Sequence, residues 1–333
     1  MTNPKITVIT PSFNQGNFLE ETILSVLNQN YSNLEYIIID GGSKDQSVDI
    51  IKKYEKQLTY WVSEPDQGQT DAINKGLKIS AGDVVNWLNS DDYYEPDALT
   101  RIALGFSDER INAVCARGRI VNENSGEINF TKGTDFYPNN LAKTIGQGRI
   151  DQPETFFRRS VLNDLKLLNP DLKYLMDRDL WMRYLLKFGL DAVSKIDDVI
   201  VNFRIHSASK SFTQKRNFQI EHDSWFYALA KKYSLTSYQD LIQQHFTLNQ
   251  HFGIINLENK YDINLIENIL NYYLLLRANE LYASDQIRAA KEILAEIKVE
   301  SFAEVDKKLL KQLLFRSTIP SFILKAFRQI LYR

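Results

Sequence analysis

Residues 84–92 read Val84-Val85-Asn86-Trp87-Leu88-Asn89-Ser90-Asp91-Asp92. The apolar part of this stretch predicts a buried strand, and two carboxylates follow at its carboxyl end, where open α/β sheets bind their ligands. Because successive side chains of an extended segment point in opposite directions, Asp91 and Asp92 cannot easily grip one ion together. We expect one carboxylate to ligate a hard divalent cation and the other to accept hydrogen bonds from a ligand hydroxyl. An Asp-rich turn that only opens the next helix is the alternative interpretation.

The N-terminal third of the chain predicts the sheet around this strand. Residues 5–10 form a β-branched run that ends at Pro11, which cannot continue a central strand. Further strand-like runs occupy residues 34–40 and 58–63, and patterns of helical spacing separate them. Alternating strands and helices with short links specify right-handed crossovers and a mostly parallel sheet with helices on both faces. The strand-end loops are then expected to converge on one rim of the sheet.

Composition and missing motifs exclude several classes of protein. The net charge of −2 over 333 residues argues against nucleic acid as the main partner. No Gly-x-x-x-x-Gly-Lys-Ser/Thr string occurs, and no Gly-x-Gly-x-x-Gly follows the first strand, which argues against P-loop ATPases and dinucleotide oxidoreductases. Cys115 is the single cysteine, and the first strand leaves no room for a signal peptide. No apolar run is long enough to span a bilayer, so we expect a cytoplasmic protein.

Four motifs in sequence order carry a family resemblance. They are Val8-Ile9-Thr10-Pro11-Ser12-Phe13-Asn14, Ile38-Ile39-Asp40-Gly41-Gly42-Ser43-Lys44-Asp45, Glu64-Pro65-Asp66-Gln67-Gly68-Gln69-Thr70-Asp71-Ala72 and Leu88-Asn89-Ser90-Asp91-Asp92. Together they resemble the inverting nucleotide-sugar glycosyltransferases of the family 2 type, which have the Rossmann-like GT-A fold. We place this catalytic domain at residues 1–212, followed by an α-helical C-terminal domain at residues 213–333.

The resemblance implies where a nucleotide-sugar donor would bind. Phe13 and Asp40 would hold the nucleotide base, and Arg204 would bind the diphosphate through its fork of donors. Asp92 would ligate the Mg²⁺ or Mn²⁺ ion that the family usually needs, and His206 would be a second ligand or a donor to phosphate. The complete set of expected donor-site residues is Pro11, Ser12, Phe13, Asn14, Asp40, Asp66, Gly68, Gln69, Asp71, Asp91 and Arg204.

The transfer reaction needs a general base on the acceptor side, because the attacking hydroxyl loses its proton. Asp177 and Asp179 open a predicted helix and lie about 200° apart around it, so only one of them can face the cleft comfortably. The resemblance selects Asp177 as the base and leaves Asp179 as the alternative. Met176 stands where many family members have Glu, and an N-cap role for either aspartate is the structural alternative.

Gln152 and Trp181 are the expected acceptor or sugar contacts. Gln152 precedes a predicted strand in a segment that resembles the acceptor side of the family, although a simple turn explains the same residues. Trp181 belongs to an apolar stripe at helical spacing, which favours a core position over a sugar platform.

The C-terminal part changes character after about residue 212 and predicts helices almost throughout. Its last segment, residues 318–333, predicts a basic amphipathic helix that would contact an anionic membrane or dock on protein, including a second subunit. A helical domain of this kind could support a homodimer. The sequence does not choose between these partners.

The resemblance leads to one complete hypothesis. The chain would be a metal-dependent inverting glycosyltransferase that moves a sugar from a UDP-, GDP- or dTDP-sugar to a hydroxyl of a glycan or lipid-linked acceptor. Cell-surface polysaccharide or glycolipid assembly would be its setting, and its location would be the cytoplasm, either free or peripheral at the inner face of the cell membrane. The alternative is a catalytically silent subunit that binds sugar nucleotide or glycan. A nucleotidyltransferase is less favoured, because residues 11–14 contain neither glycine nor a cation.

Overall fold

The computed structural model describes residues 3–207, 209–249, 252, 255, 257, 260–298 and 302–318, without the side chains of residues 211 and 212. Its contacts divide the chain into two compact units. We call Met1–Phe136 with Arg149–Gln219 the sheet unit, and Tyr137–Gly148 with Ile220–Arg333 the helical unit. The sequence places the domain boundary at 212/213, whereas the units part at 219/220.

One sheet organises the described part of the sheet unit. Its strands are β1 (Ile6–Ser12), β2 (Leu34–Asp40), β3 (Tyr60–Ser63), β4 (Val84–Trp87), β5 (Tyr93–Tyr94), β6 (Ala113–Asn122), β7 (Ile128–Phe130), β8 (Thr155–Arg158) and β9 (Val193–Ile205). They lie in the order β3-β2-β1-β4-β8-β6-β9-β5, and β7 pairs with β6.

The predicted parallel arrangement holds for half of this sheet. β1 pairs in parallel with β2 and β4, and β2 pairs in parallel with β3. β8 runs antiparallel between β4 and β6, so the other half is mixed rather than mostly parallel. The reason is that the regular alternation of strand and helix, which forces parallel crossovers, ends after β4.

Helices accompany the sheet and make up the helical unit. The sheet unit contains α1 (Gly16–Leu27), α2 (Ser47–Tyr54), α3 (Gln69–Ile79), α4 (Ala98–Gly105), α6 (Arg159–Asp164), α7 (Met176–Phe188), α8 (Lys210–Thr213) and 3₁₀ turns at Glu55–Gln57 and Gln152–Glu154. The helical unit contains α5 (Leu141–Gln147), α10 (Thr236–His245), α11 (Ile263–Ala283), α12 (Ile287–Glu296) and α13 (Glu304–Thr318). α9 (Lys215–Lys232) begins in the first unit and continues in the second.

The core explains why the strand ends are held firmly. All seven residues of β1 are buried, as expected for a parallel strand between two others. α1 packs against the core through Leu19, Ile23 and Val26, which share one face at helical spacing. Each such side chain contributes roughly 1.5–3 kcal/mol on burial. The loops that follow β1, β2 and β4 therefore leave from a rigid base.

The far C-terminal segment is only partly described. The predicted basic amphipathic helix of residues 318–333 lies outside the described residues, except for its first residue, Thr318. Within the described part of the chain, no helix is both long enough and apolar enough to cross a bilayer.

Candidate active site

Asp40 anchors the loop after β2. Its Oδ2 accepts hydrogen bonds from the backbone N–H groups of Gly42 (3.1 Å) and Ser43 (2.9 Å) and from the Ser63 hydroxyl (2.7 Å). Its Oδ1 accepts from the Ser43 hydroxyl at 2.6 Å, and that hydroxyl in turn accepts from the Asn14 backbone N–H at 2.8 Å. Asp40 has no exposed surface. A direct contact with a nucleotide base would require these bonds to open.

Asp66 is the more accessible carboxylate on this side of the sheet. It is half-buried, and its Oδ1 accepts from the Gly68 backbone N–H at 2.8 Å. Gly41 makes room for it, because a Cβ at that position would lie 2.6 Å from Asp66 Oδ2. Ser12 is buried with a hydroxyl that lacks a hydrogen-bond partner among the described atoms, while the Phe13 ring is 59% exposed. These groups offer a ligand a carboxylate, a hydroxyl and an aromatic face.

The N-terminus of α3 follows directly. Gly68 has φ +114°, a conformation that favours glycine, and it leads the chain into the helix. Asp71 in the first turn is half-buried, accepts from the Gln67 backbone N–H at 3.2 Å and lies 3.5 Å from the Lys75 ammonium. Asp71 thus serves the local structure of the loop.

Asp91 and Asp92 have different surroundings, as their alternating directions predict. Asp92 is fully buried, and its Oδ1 accepts from the Arg204 backbone N–H at 3.0 Å. Burial, followed by the neighbouring charge of Asp91, raises the pKa of Asp92 well above its ordinary value. Asp91 is partly exposed, and its Oδ2 lies 3.1 Å from His206 Nε2. Asp91 is therefore the accessible carboxylate of the two, and it is paired with the largely buried His206.

Arg204 has partners that the sequence did not indicate. Its guanidinium forms ion pairs with Glu21 (2.5 Å) and Glu123 (3.1 Å), and it lies over the rings of Phe18 and Tyr93 at 5.3 and 4.5 Å. The side chain is almost fully buried. Two carboxylates already balance its charge, so the diphosphate contact predicted for Arg204 would require these pairs to open.

A chain of amide hydrogen bonds joins three strand ends. Lys210 donates to Gln69 Oε1 at 3.0 Å, and Gln69 Nε2 donates to Asn89 Oδ1 at 2.7 Å. Asn89 Nδ2 then donates to Asp92 Oδ2 at 3.3 Å. The loops after β3, β4 and β9 are thereby connected at one rim, as the alternating strand and helix pattern predicts.

The two candidate bases on α7 are clearly distinguished. Asp179 is fully buried in an ion pair with Arg183, whose Nε donates to Asp179 Oδ2 at 2.8 Å. Arg183 also donates to the carbonyl oxygens of Leu165 and Leu167, which ties α7 to the segment after α6. Asp179 is thus committed to the packing of this helix.

Asp177 is half-buried and has few hydrogen-bond donors. Its Oδ1 accepts from the Arg178 backbone N–H at 2.7 Å. Burial raises the pKa of Asp177 to about 6, and the charge of Asp151 adds to the rise against the lowering effect of that N–H. A carboxyl group with this pKa is ionised at neutral pH yet accepts a proton readily. This is the behaviour required of a general base.

The two expected acceptor contacts lie in the interior. Gln152 is 4% exposed, and its Nε2 donates to Asn86 Oδ1 at 2.6 Å and to the Trp87 carbonyl at 2.8 Å. Trp181 is 1% exposed and stacks on Tyr184 with ring centroids 5.2 Å apart. The acceptor contact predicted for Trp181 is wrong in this structure, because aromatic stacking at helical spacing has placed the ring in the core.

An acidic group beside β8 was missed from the sequence. Glu154 is 2% exposed, its Oε2 has no hydrogen-bond partner among the described atoms, and Gly118 leaves the space that its Oε1 occupies. Burial, followed by the charge of Asp151, raises the pKa of Glu154 to about 8. Its position two residues after Gln152 carries no periodic signal. Gly41, Asn89 and Lys210 were missed as well, although Gly41 and Asn89 lie inside two of the quoted motifs.

The described residues contain no cluster of three or more His, Cys, Asp or Glu side chains that could hold a metal ion. The pair formed by Asp91 and His206 is a smaller set, with one carboxylate oxygen and one imidazole nitrogen. Both are atom types that bind Mn²⁺ in proteins, whereas Mg²⁺ favours oxygen ligands.

Comparisons with known proteins agree with this arrangement. Residues 7–166 match the family described as Glycosyl transferase family 2. An uncharacterized glycosyltransferase of Rickettsia typhi is 26% identical over 241 residues, which cover 69% of this chain and 73% of that protein. One from a Nostoc species is 30% identical over 215 residues, covering 62% and 66%.

Solved structures share the fold. A structure of S. aureus TarS in complex with UDP-GlcNAc gives a TM-score of 0.57 at 17% identity and covers 89% of this chain and 82% of that chain. A longer TarS chain gives a TM-score of 0.56 at 17% identity, and the match covers 94% of the present chain and 52% of that chain. The present chain therefore spans about half the length of this TarS chain. The mannosyltransferase PcManGT from Pyrobaculum calidifontis, in complex with GDP-Man and Mn²⁺, gives 0.52 at 15% identity, covering 98% and 84%. The likeness shows a GT-A fold.

Proposed function

We propose that the chain is a member of glycosyl transferase family 2, which residues 7–166 match, and that it is an inverting, metal-dependent enzyme that transfers a sugar from a nucleotide-sugar donor to a hydroxyl acceptor. One observation carries the proposal. The strand-end groups of β1 to β4 and β9 are joined by hydrogen bonds, and α7 supplies a half-buried Asp177 with its pKa raised to about 6.

On the donor side, Phe13, Asp66 and the unpartnered Ser12 hydroxyl are proposed to contact the nucleoside. Asp40 acts through the loop that it holds rather than by direct contact, because three of its four hydrogen bonds fix residues 42 and 43. Gln69 and Lys210 lie at the N-terminus of α3, where a helix favours negative charge. We propose that they face the diphosphate.

Asp91 and His206 are proposed to hold the divalent cation. Their polar atoms lie 3.1 Å apart, and the partly exposed Asp91 carboxylate is open to a ligand. Asp92, the ligand first expected, would join them only if its 3.3 Å bond from Asn89 gives way. When bound, the ion neutralises charge that develops on the leaving diphosphate. The presence of Mn²⁺ with GDP-Man in PcManGT supports this assignment.

Asp177 is proposed to take the proton of the acceptor hydroxyl as its oxygen bonds to the anomeric carbon. The bond from that carbon to the diphosphate oxygen breaks at the same time, and the configuration inverts. A positioned general base is typically worth about 10²–10⁴-fold in rate. Asp179 is unsuited to this task, because Arg183 holds it as a buried ion pair.

The acceptor and the setting remain part of the same proposal. We propose a glycan or lipid-linked hydroxyl in cell-surface polysaccharide or glycolipid assembly, and a cytoplasmic location. The single cysteine, Cys115, supports a reducing compartment, since it is free and buried and burial raises the pKa of its thiol to about 12. The structural relatives that bind UDP-GlcNAc and GDP-Man support a nucleotide-sugar donor.

Thermal unfolding with a panel of UDP-, GDP- and dTDP-sugars tests the proposal, with Mn²⁺ and with a chelator. A donor at about 100 times its Kd stabilises the protein by roughly 2.7 kcal/mol. We expect one nucleotide class to raise Tm in Mn²⁺ and to lose most of this effect in chelator. A protein that no sugar nucleotide stabilises contradicts the proposal. Stabilisation without turnover on any hydroxyl acceptor would identify the silent subunit instead.

A further inference from the structure

Side-chain contacts on the inner side of α13 fix the orientation of this helix. Asp306 accepts hydrogen bonds from the Lys143 ammonium at 2.6 Å and from the Tyr272 hydroxyl at 3.0 Å, and all these residues belong to the helical unit. Leu310 and Leu313 are buried on the same side of the helix. A helix fixed by a buried ion pair and two leucines cannot turn freely. The opposite side of α13 is therefore a permanent surface of this unit.

That opposite side combines large apolar side chains with cations. We define the outer face of α13 as Val305, Lys308, Leu309, Lys311, Phe315 and Arg316, which lie on one side of the helix at 100° per residue. Val305 is 70% exposed, Phe315 is 68% exposed and Leu309 is 39% exposed. Single exposed apolar residues are common on protein surfaces, but three on one face of a 15-residue helix form a patch.

The charge on this face is strongly one-sided. Lys308, Lys311 and Arg316 form no close ion pair with a carboxylate among the described residues; the exposed Glu304 is paired with Lys307 at 2.9 Å and is also attracted by Lys311. Asp306, the other acid of α13, points inward to Lys143. From Lys307 to the end of the chain, the sequence contains no acidic residue. The outer face therefore presents cations that favour a negatively charged partner.

We propose that the outer face of α13 binds the anionic phospholipid surface of a membrane. Lysine and arginine at the level of the headgroups with phenylalanine and leucine inserted between them is the pattern of an interfacial helix. A shallow depression of about 400 Å³ lies beside this face, and it is lined by Glu304, Lys307, Lys308, Lys311, Gln312 and Phe315, so that three lysines outnumber one carboxylate. A soluble polyanion would satisfy the cations, but it would leave the three apolar side chains in water.

This inference goes beyond the proposed transfer reaction and does not depend on it. Its test is co-sedimentation of the full chain with vesicles of pure phosphatidylcholine and with vesicles that contain an equal share of phosphatidylglycerol. We expect binding to the anionic vesicles alone at low salt, and its loss in about 1 M salt, where charges are screened beyond roughly 3 Å. The double variant Lys308→Glu with Lys311→Glu should bind at least about 25-fold more weakly, at about fivefold for each cation removed. Phe315→Ser should bind roughly tenfold more weakly.

A matched control variant distinguishes the effect of this surface on vesicle binding from the effect of the net charge of the protein. Lys52→Glu with Lys56→Glu makes the same change of charge at exposed lysines of the sheet unit, and it should bind vesicles as the unaltered protein does. The proposal is overturned if the unaltered chain stays in the supernatant, or if the two double variants bind alike. If dextran sulfate abolishes vesicle binding by competition, and if Phe315→Ser leaves that binding unchanged, the natural ligand of the outer face is a polyanion. A halved mass in light scattering for the Lys308 and Lys311 variant would assign it to a second copy.

Discussion

The carboxylates on the two sides of the catalytic sheet differ in what surrounds them. Asp40, beside β1 and β3, accepts four hydrogen bonds from groups of the same rim. Asp177 and Glu154, on the side of β8 and α7, have few donors, and burial raises their pKa values to about 6 and about 8. A carboxylate rich in donors shapes a loop, whereas one that is buried with few donors exchanges or keeps a proton. In the proposed mechanism, carboxylates therefore position a loop on one side of the sheet and transfer a proton on the other.

The variant Asp177→Asn is the strongest test of this difference between the two sides. The amide has nearly the size of the carboxylate but cannot take the acceptor proton, so we expect kcat to fall about 10²–10⁴-fold with donor affinity unchanged. Turnover assays and donor titrations measure the two effects separately. Asp171→Asn, at an exposed carboxylate of the preceding loop, is the control that should keep full activity.

The pH profile gives the same comparison a second readout. Because the pKa of Asp177 in the unliganded protein is raised to about 6, kcat/KM should rise with pH through this value as the base becomes ionised. A flat profile between pH 5 and 8 together with an active Asp177→Asn would remove Asp177 from the mechanism.

Asp179→Asn should damage stability rather than chemistry. Removing one partner of a buried ion pair leaves Arg183 uncompensated, which costs roughly 3–5 kcal/mol. Urea unfolding should show this loss, while the folded fraction keeps its transfer activity. If Asp179→Asn folds normally and loses turnover, the roles of the two aspartates on α7 are the reverse of those assigned here.

The variant Glu154→Gln tests whether the pKa of Glu154 is raised, and the readout is the stability of the protein. The folded-state pKa of Glu154, about 8, lies above its unfolded value. The contribution of Glu154 to the free energy of unfolding is therefore complete at acid pH, and it is lost as the pH rises through 8. The glutamine variant carries no charge to bury, and above pH 8 it should be the more stable by about 5 kcal/mol, because the pKa rises from 4.5 to about 8 and each pKa unit is worth about 1.4 kcal/mol. Below about pH 4 the two proteins should be nearly equal.

Denaturant unfolding at several pH values measures this difference. Glu109→Gln changes an exposed carboxylate and should leave the profile unaltered. Parallel profiles for Glu154→Gln and the unaltered protein would mean that Glu154 is already ionised in the fold.

Gly41→Ala probes the donor side and has the smallest expected effect. The new methyl would lie 2.6 Å from Asp66 Oδ2, so the carboxylate must move, and we expect roughly tenfold weaker donor binding, or about 1.4 kcal/mol. In an Asp66→Ala background the same substitution should add almost nothing, because the group that it displaces is gone. Additive losses in this double-mutant cycle would show that Gly41 acts on the donor without Asp66.

The sequence predicted those parts of the site that depend on local pattern. The alternation of strand and helix brings the loops after β3 and β4 to one rim, as predicted. The predicted end of β1 at Pro11 is wrong: the strand continues to Ser12 and pairs there with β2, because β4 pairs with β1 only as far as Ile9 and Pro11 needs no donor on that side. The about 200° between Asp177 and Asp179 correctly implied that only one would be available. Each of these inferences used residues close together in the chain.

The remainder depended on contacts between distant segments. Arg204 reads as a phosphate ligand until Glu21 and Glu123 are found beside its guanidinium. The mixed half of the sheet follows from the pairing of β8 with β4 and β6, which no local periodicity encodes. Trp181 offered two interpretations, and only its stacking on Tyr184 decided between them.

The hydrogen bond from the Arg204 backbone N–H to Asp92 also has a consequence for the order in which the site forms during biosynthesis. The two residues are 112 positions apart, so at about 5–20 residues per second a ribosome adds Arg204 roughly 6 to 20 seconds after Asp92. During this interval β1 to β4 can already pair in parallel, because all four strands have been made. The nascent chain therefore has a scaffold before it has an anchored Asp92, and the carboxylates that follow β4 reach their final surroundings only when β9 has been made.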